Sequence, residues 1–198
     1  MSESTFVFID AGFLSKLSKY FGDGKYINYN LIKFAKKIAA EQNLFCEHIY
    51  YYTSPPFQCS NPTRDESERM KKYESFVRKL SEIKNITVRE GRCQRLKIDG
   101  EFVYKQKGVD SLMVMDMVMV PLKFKNINKI ILIASDSDFV PVVNELSKIR
   151  METLLYTYFI KKRNTSFSRS NYLLTSVNKY FKLNKGHFDD CLLIENEE

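Results

Sequence analysis

Four aspartates stand at positions where a folded chain can gather acid. Asp10 closes the apolar run TFVFID (5–10), and Asp136 and Asp138 follow the run KIILIA (129–134) in the turn Ser135-Asp136-Ser137-Asp138. Asp110 opens a helical segment just after the turn Lys105-Gln106-Lys107-Gly108. In a parallel sheet the C-terminal ends of the strands share one edge, and ligands bind in the crevice outside that edge, so these distant residues can converge. Carboxylates gathered in one cleft repel each other and protonate unless a cation neutralises them. A donor set of oxygens alone selects a hard divalent ion, Mg²⁺ or Mn²⁺. Such an ion activates water and neutralises charge on a phosphate, which points to phosphodiester hydrolysis. Asp116 lies six positions beyond Asp110, about 240° around a helix, so the two do not share a face and Asp110 is the better ligand. Each aspartate also has a plainer use: Asp138 can cap the helix FVPVVNEL, and Asp110 suits the first turn of a helix. Capping alone does not account for Asp136 and Asp138 standing two apart on a tight Ser/Asp turn directly after the most apolar strand.

The basic residues are placed to hold a polyanion beside that acid. Arg89, Arg92, Arg95, Lys97, Lys105 and Lys107 crowd the segment leading into Asp110, with Phe102 and Tyr104 interleaved as stacking surfaces for unpaired bases. A solvated hairpin face is the alternative reading of the same residues. Lys161-Lys162-Arg163 with Arg169 reads as a solvated loop, Tyr50-Tyr51-Tyr52 as packing, and His48 as structural.

Elements of alternating type must position these groups. Strands are expected over 5–10, 44–53, 86–89, 129–134 and 153–159, and helices over 30–42, 63–84, 108–120, 138–150 and 168–181. Ala11 and Gly12 read as a turn. The long charged helix opens with a Thr63-x-x-Glu66 box. Residues 92–107 read as a basic hairpin turning on Asp99-Gly100. Strand, helix, strand in repeated order predicts an α/β domain with a mainly parallel sheet of about five strands and helices on both faces, plus the hairpin and a C-terminal helix.

Three segments together carry a family resemblance: FIDAGFL (8–14), QKGVDSLMVMDMV (106–118) and ILIASDSDFVPVVNEL (131–146). In this order and spacing they resemble the signature blocks of the NYN domain, in its LabA-like branch, and SRSNYLLTSVNKYF (168–181) is similar to the family's closing helix. The resemblance implies a PIN-like, Rossmannoid fold and a metal-dependent ribonuclease. It implies Asp10, Asp110, Asp136 and Asp138 as metal ligands, Asp116 as a supporting position and Ser135 lining the turn. Many members carry Asn three residues after the first aspartate, where this chain has Phe13.

Composition bounds the rest. The 198 residues, 44% apolar and 14% aromatic, suffice for one core and exclude global disorder. Thirty-one Lys plus Arg against 24 Asp plus Glu give a net charge of +7, which favours a polyanionic partner such as nucleic acid, and the family resemblance implies RNA before DNA. Cys46, Cys59, Cys93 and Cys191 form no C-x-x-C pair and have only His48 and His187 beside them, so no zinc site is written; they read as buried small hydrophobes. The start MSESTFVFID has no export-signal pattern, and the run 111–122 is broken by Asp116, so a cytoplasmic protein without membrane partners is expected, with homo-oligomerisation left open. The catalytic domain is expected over 1–182 and an acidic, loosely attached tail over 183–198. The competing function is a nucleic-acid-binding or protein-interaction module on the same fold without turnover, supported by Phe13. A phospho-aspartate phosphatase is disfavoured because Asp10 begins no Asp-x-Asp pattern.

Overall fold

The computed structural model describes residues 2–160 and 167–193. In chain order its elements are β1 (Glu3–Asp10), α1 (Ala11–Phe21), α2 (Leu31–Ala40), β2 (Leu44–Thr53), α3 (Arg64–Ser81), β3 (Ile86–Glu90), β4 (Arg92–Ile98), β5 (Glu101–Lys107), α4 (Val109–Lys123), β6 (Lys129–Ile133), α5 (Val140–Lys148), β7 (Glu152–Thr157), α6 (Asn171–Ser176), β8 (Lys179–Lys182) and α7 (Lys185–Asp189). Six strands form a wholly parallel sheet in the order β3-β2-β1-β6-β7-β8. β4 and β5 form a separate antiparallel hairpin.

Burial of the central strands on both faces explains why their sequences lack polar alternation. Val7 and Ile9 of β1 face a core built with Leu14 and Leu17 of α1 and Phe34 and Ile38 of α2. Phe6 and Phe8 face the opposite core, with Met113 and Met117 of α4 and Val143 and Leu146 of α5. Two layers of helices thus clamp one sheet, as the strand and helix rhythm predicts. The Thr63–Glu66 capping box closes on α3. The hairpin turns on Asp99 and Gly100, both at positive φ (51° and 86°), the backbone that a two-residue Asp-Gly turn requires.

Four expectations need correction. Residues 11–12 are not a turn. β1 passes directly into α1, because Asp10 caps it by accepting the Phe13 N–H at 3.1 Å and because Phe13, Leu14 and Leu17 form a buried stripe. The mainly parallel sheet is present, with six strands, but the closing helix expected over 168–181 is divided between α6 and β8. Leu173 and Leu174 are buried as a short helix expects, but Val177 is extended, and Lys179–Lys182 pairs with β7 so that Phe181 can stack on Tyr156 across the sheet edge. The segment 183–193 is tied down rather than loosely attached. Phe188 and Cys191 are buried in the α1/α2 core, and Asn30 N–H donates to the Cys191 carbonyl at 2.8 Å. The rest of the acidic tail, 194–198, and the Lys161–Arg163 cluster lie outside the described residues. Of the four cysteines, only Cys46 and Cys191 are buried; Cys59 and Cys93 are half-buried, and all four are free. Among the described residues no helix is long and apolar enough to cross a membrane.

Candidate active site

The sheet order reverses between β1 and β6: successive strands run outward from β1 to β2 and β3 on one side, and from β6 to β7 and β8 on the other. The helices that follow β1 and β6 therefore leave on opposite faces, and a crevice opens at the C-terminal ends of these two strands. Asp10 is the last residue of β1, and Asp136 stands three residues past the end of β6. Gly108 lets the hairpin deliver α4 to the same edge. It precedes the helix at φ 82°, a conformation that glycine adopts without a Cβ penalty, and Asp110 falls in the first turn of α4.

Electrostatics record the convergence. Burial pushes the Asp10 carboxyl up to about 6 from its ordinary 3.8; the Phe13 N–H opposes that shift, and the charges of Asp110 and Asp136 reinforce it. Asp110 is also raised, by burial first and then by Asp136 and Asp138. Asp10 senses Asp110 and Asp136, and Asp110 senses Asp136 and Asp138, so the four carboxylates share one field.

The capping alternative divides them. Asp10 caps α1, and Asp136 accepts the Asp138 N–H at 3.1 Å, closing a single 3-10 turn over Ser137–Phe139. Asp138 and Asp110 do no such work: α5 begins after Phe139 and α4 after Gly108, each without a side-chain cap. Asp138 is exposed and Ser135 half-buried beside it.

The donor set is oxygen alone, which suits a hard divalent ion. Among the described residues no three His, Cys, Asp or Glu side chains form a ready cage around one point. Mg²⁺ does not require such a cage, since it keeps several waters and binds through one or two carboxylates plus substrate phosphate. Gly12 leaves room for that chemistry. A methyl group there would stand 3.1 Å from Gln106 Oε1 and 3.2 Å from Asp10 Oδ1, so the missing side chain keeps open the space between carboxamide and carboxylate.

Asp116 lies behind the crevice rather than in it. It is only 8% exposed and is held by Arg89 through two bonds, Nε to Oδ2 at 2.9 Å and Nη2 to Oδ1 at 2.8 Å, while the Tyr52 hydroxyl donates to Oδ2 at 3.0 Å. This buried network fastens α4 to the ends of β2 and β3. It also engages Nε and Nη2 of Arg89, a member of the phosphate-binding set expected from sequence, while that side chain stays 42% exposed.

The other five basic residues separate by hairpin face. Opposed residues of an antiparallel pair share a face. Cys93/Gln106, Arg95/Tyr104 and Lys97/Phe102 therefore lie on one side, and Arg92/Lys107 and Gln94/Lys105 on the other. On the first side Arg95 lies 4.5 Å from the ring centres of both Phe57 and Phe102, and Phe57 packs on Tyr104. This aromatic and basic stripe leads to Gln106 at the crevice. Sequence reading missed the roles of Gln106 and Phe57; the Asp99-Gly100 turn fixes the pairing register and so could have placed Gln106, whereas nothing local marks Phe57. His48 is structural, its Nε2 2.8 Å from the Thr87 hydroxyl.

The chain matches the NYN domain over residues 4–181. It belongs to the NYN domain family. That family is one of PIN-like nucleases, and the parallel sheet and its acidic crevice are consistent with the assignment. A solved structure of a protein of unknown function from Vibrio parahaemolyticus resembles this fold with a TM-score of 0.58 at 12% identity, covering 94% of this chain and 96% of that one. No curated protein matches significantly. Phe13, at the position where many NYN domains carry Asn, is 6% exposed and packs in the α1/α2 core, so only its backbone N–H serves the site.

Proposed function

We propose that this NYN domain is a metal-dependent ribonuclease that hydrolyses phosphodiester bonds of unpaired RNA. The observation that carries the reading is the convergence of Asp10, Asp110, Asp136 and Asp138 at the point where the strand order reverses, where burial first, and then the charges of Asp110 and Asp136, raise Asp10 to about 6. Uncompensated repulsion of this kind is costly, and a bound cation relieves it. Asp10 and Asp110, with Asp136 and Asp138 on the facing turn, would hold Mg²⁺ or Mn²⁺, which supplies charge neutralisation and an activated water when bound.

The chain's own residues do the remaining work. Hydrolysis adds water across one P–O bond, so the phosphate must be held while negative charge builds on its oxygens. The Gln106 carboxamide beside Asp10 orients that phosphate through its N–H groups. Arg95 and Lys97 hold the backbone along the hairpin, and Tyr104 and Phe102 stack unpaired bases there. Arg89, Asp116 and Tyr52 keep α4, and with it Asp110, at the required depth.

Phe13 supports a second reading, a nucleic-acid-binding module without turnover, because no side chain from that position reaches the crevice. Cleavage of a mixed panel of single- and double-stranded RNA and DNA separates the two. Wild type with Mn²⁺ is expected to cut single-stranded RNA, with activity abolished by chelation and by Asp136→Asn. Tight binding without any cleavage under Mg²⁺ or Mn²⁺ selects the second reading.

A further inference from the structure

A cavity of about 770 Å³, within the range of small-ligand sites, begins at Gly12 and follows the outer face of α1. It is lined by Gly12, Lys16, Lys19, Tyr20 and Asp23, then by Tyr26, with Ile160 and Phe167 as the far wall. Positions 12, 16, 19 and 20 recur at helical spacing within α1, so they form one stripe, and Tyr20 lies roughly 12 Å along the axis from Gly12; Asp23 stands in the turn past the end of the helix, at φ 53°. The far wall is anchored, since Ile160 N–H donates to the Phe167 carbonyl at 2.9 Å.

The chemistry of the stripe is unusual for a solvated helix face. Tyr26 is 68% exposed and Tyr20 46% exposed, although Tyr20 also packs on Phe21, Tyr158 and Phe167 with ring centres 5.2 to 5.6 Å away. Lys19 Nζ lies 5.7 Å from the Tyr26 ring centre and Lys16 Nζ 5.5 Å from that of Phe167. Exposed lysine–ring contacts are weak. A nucleobase can take the ring face while the ammonium moves to a phosphate, exchanging each contact for two stronger ones. Among the described residues Asp23 is the one carboxylate in the lining, at the end away from Gly12.

We infer that the α1 groove is a stacking subsite for the unpaired nucleotides flanking the scissile bond on the side opposite the hairpin. Tyr26 and Tyr20 receive bases, and Lys16 and Lys19 pair with the connecting phosphates. The inference rests on reading the crevice as a nucleic-acid cleavage site, and it goes further by assigning where the strand leaves. Paired bases cannot present their faces to a tyrosine, so the subsite makes the protein selective for single strands.

The test is the affinity of a fluorescent single-stranded RNA, measured without divalent ions, for wild type, Tyr26→Ala, Tyr26→Phe and Lys16→Ala plus Lys19→Ala. Tyr26 is exposed, so its replacement leaves the fold intact, verified by thermal melting. Tyr26→Ala is expected to weaken binding about tenfold, with Tyr26→Phe close to wild type. The double lysine variant is expected to lower the salt dependence by about one unit or more, at about 0.7 per phosphate contact. 2-Aminopurine placed at successive positions should be quenched at one of them in wild type and not in Tyr26→Ala. Unchanged affinity in both Tyr26→Ala and the lysine variant, with wild type still cutting RNA, overturns the subsite and leaves the nuclease reading in place. Weakened binding by these variants in a protein that cuts nothing supports the subsite and overturns the nuclease reading. An equal loss for duplex and single strand overturns stacking as the mode.

Discussion

Asp10 has two jobs in the same carboxylate: it caps α1 through the Phe13 N–H, and it stands among like charges at the crevice. Its ionised form is a stability cost in the metal-free protein, through burial first and the neighbouring charges second. Because its folded pKa, about 6, lies above the ordinary 3.8, its contribution favours folding below pH 4 and is lost as pH rises through 6. Asn caps a helix as well as Asp does. With divalent ions chelated, Asp10→Asn should match wild type near pH 4 and exceed it at pH 8 by about 2 to 3 kcal/mol in urea unfolding. A variant less stable than wild type at pH 8 would show that the cap outweighs the repulsion. The positions of Asp10, Asp136 and Asp138 at one sheet edge were legible because strand ends are marked by composition, and that of Asp110 because a helix start follows the Gly108 turn. The burial of Phe13 could not, since it depends on α1 starting at once after β1.

At the scale of elements, the hairpin is the device that turns a cluster of basic residues into a directional surface. Alternation sends Arg95 and Lys97 to the face that carries Gln106, and Arg92, Lys105 and Lys107 to the other. Charge removal should accordingly depend on the face. Arg95→Ala plus Lys97→Ala is expected to reduce the salt slope of single-strand binding by about 1.4, at about 0.7 per phosphate contact, while Arg92→Ala plus Lys107→Ala leaves it near wild type. Equal effects from both pairs would mean a diffuse electrostatic surface. The presence, boundaries and turn of the hairpin were all legible in the residues, because Asp99-Gly100 is a specific local signal. The division of its charges was not, and neither was the capture of Arg89 by Asp116, a contact across 27 positions that no local pattern encodes. β8 escaped for a similar reason: Leu173, Leu174, Val177 and Phe181 keep a helical spacing, yet the open edge of β7 and the stacking surface of Tyr156 draw the segment into the sheet.

For the whole molecule, one sheet with a reversal at its centre places an acidic crevice between a basic, aromatic hairpin on one side and the lysine and tyrosine groove of α1 on the other. The parallel architecture followed from the order of strand and helix segments, whereas the packing of 183–193 was not legible because its acidic composition hides Phe188, which completes the core against α1 and α2. On the proposed function, a strand of nucleic acid laid across this surface would meet cations before and after the carboxylates, which would make binding and cleavage separable functions of different residues. The central claim is that the carboxylates act in the chemical step alone. The measurement that tests it most directly is single-turnover cleavage by Asp110→Asn under Mn²⁺, set beside its affinity for the same RNA without metal. Removing negative charge from the crevice should leave affinity equal or tighter while the cleavage rate falls by at least about a hundredfold. Cleavage that persists at the wild-type rate in Asp110→Asn would contradict the account.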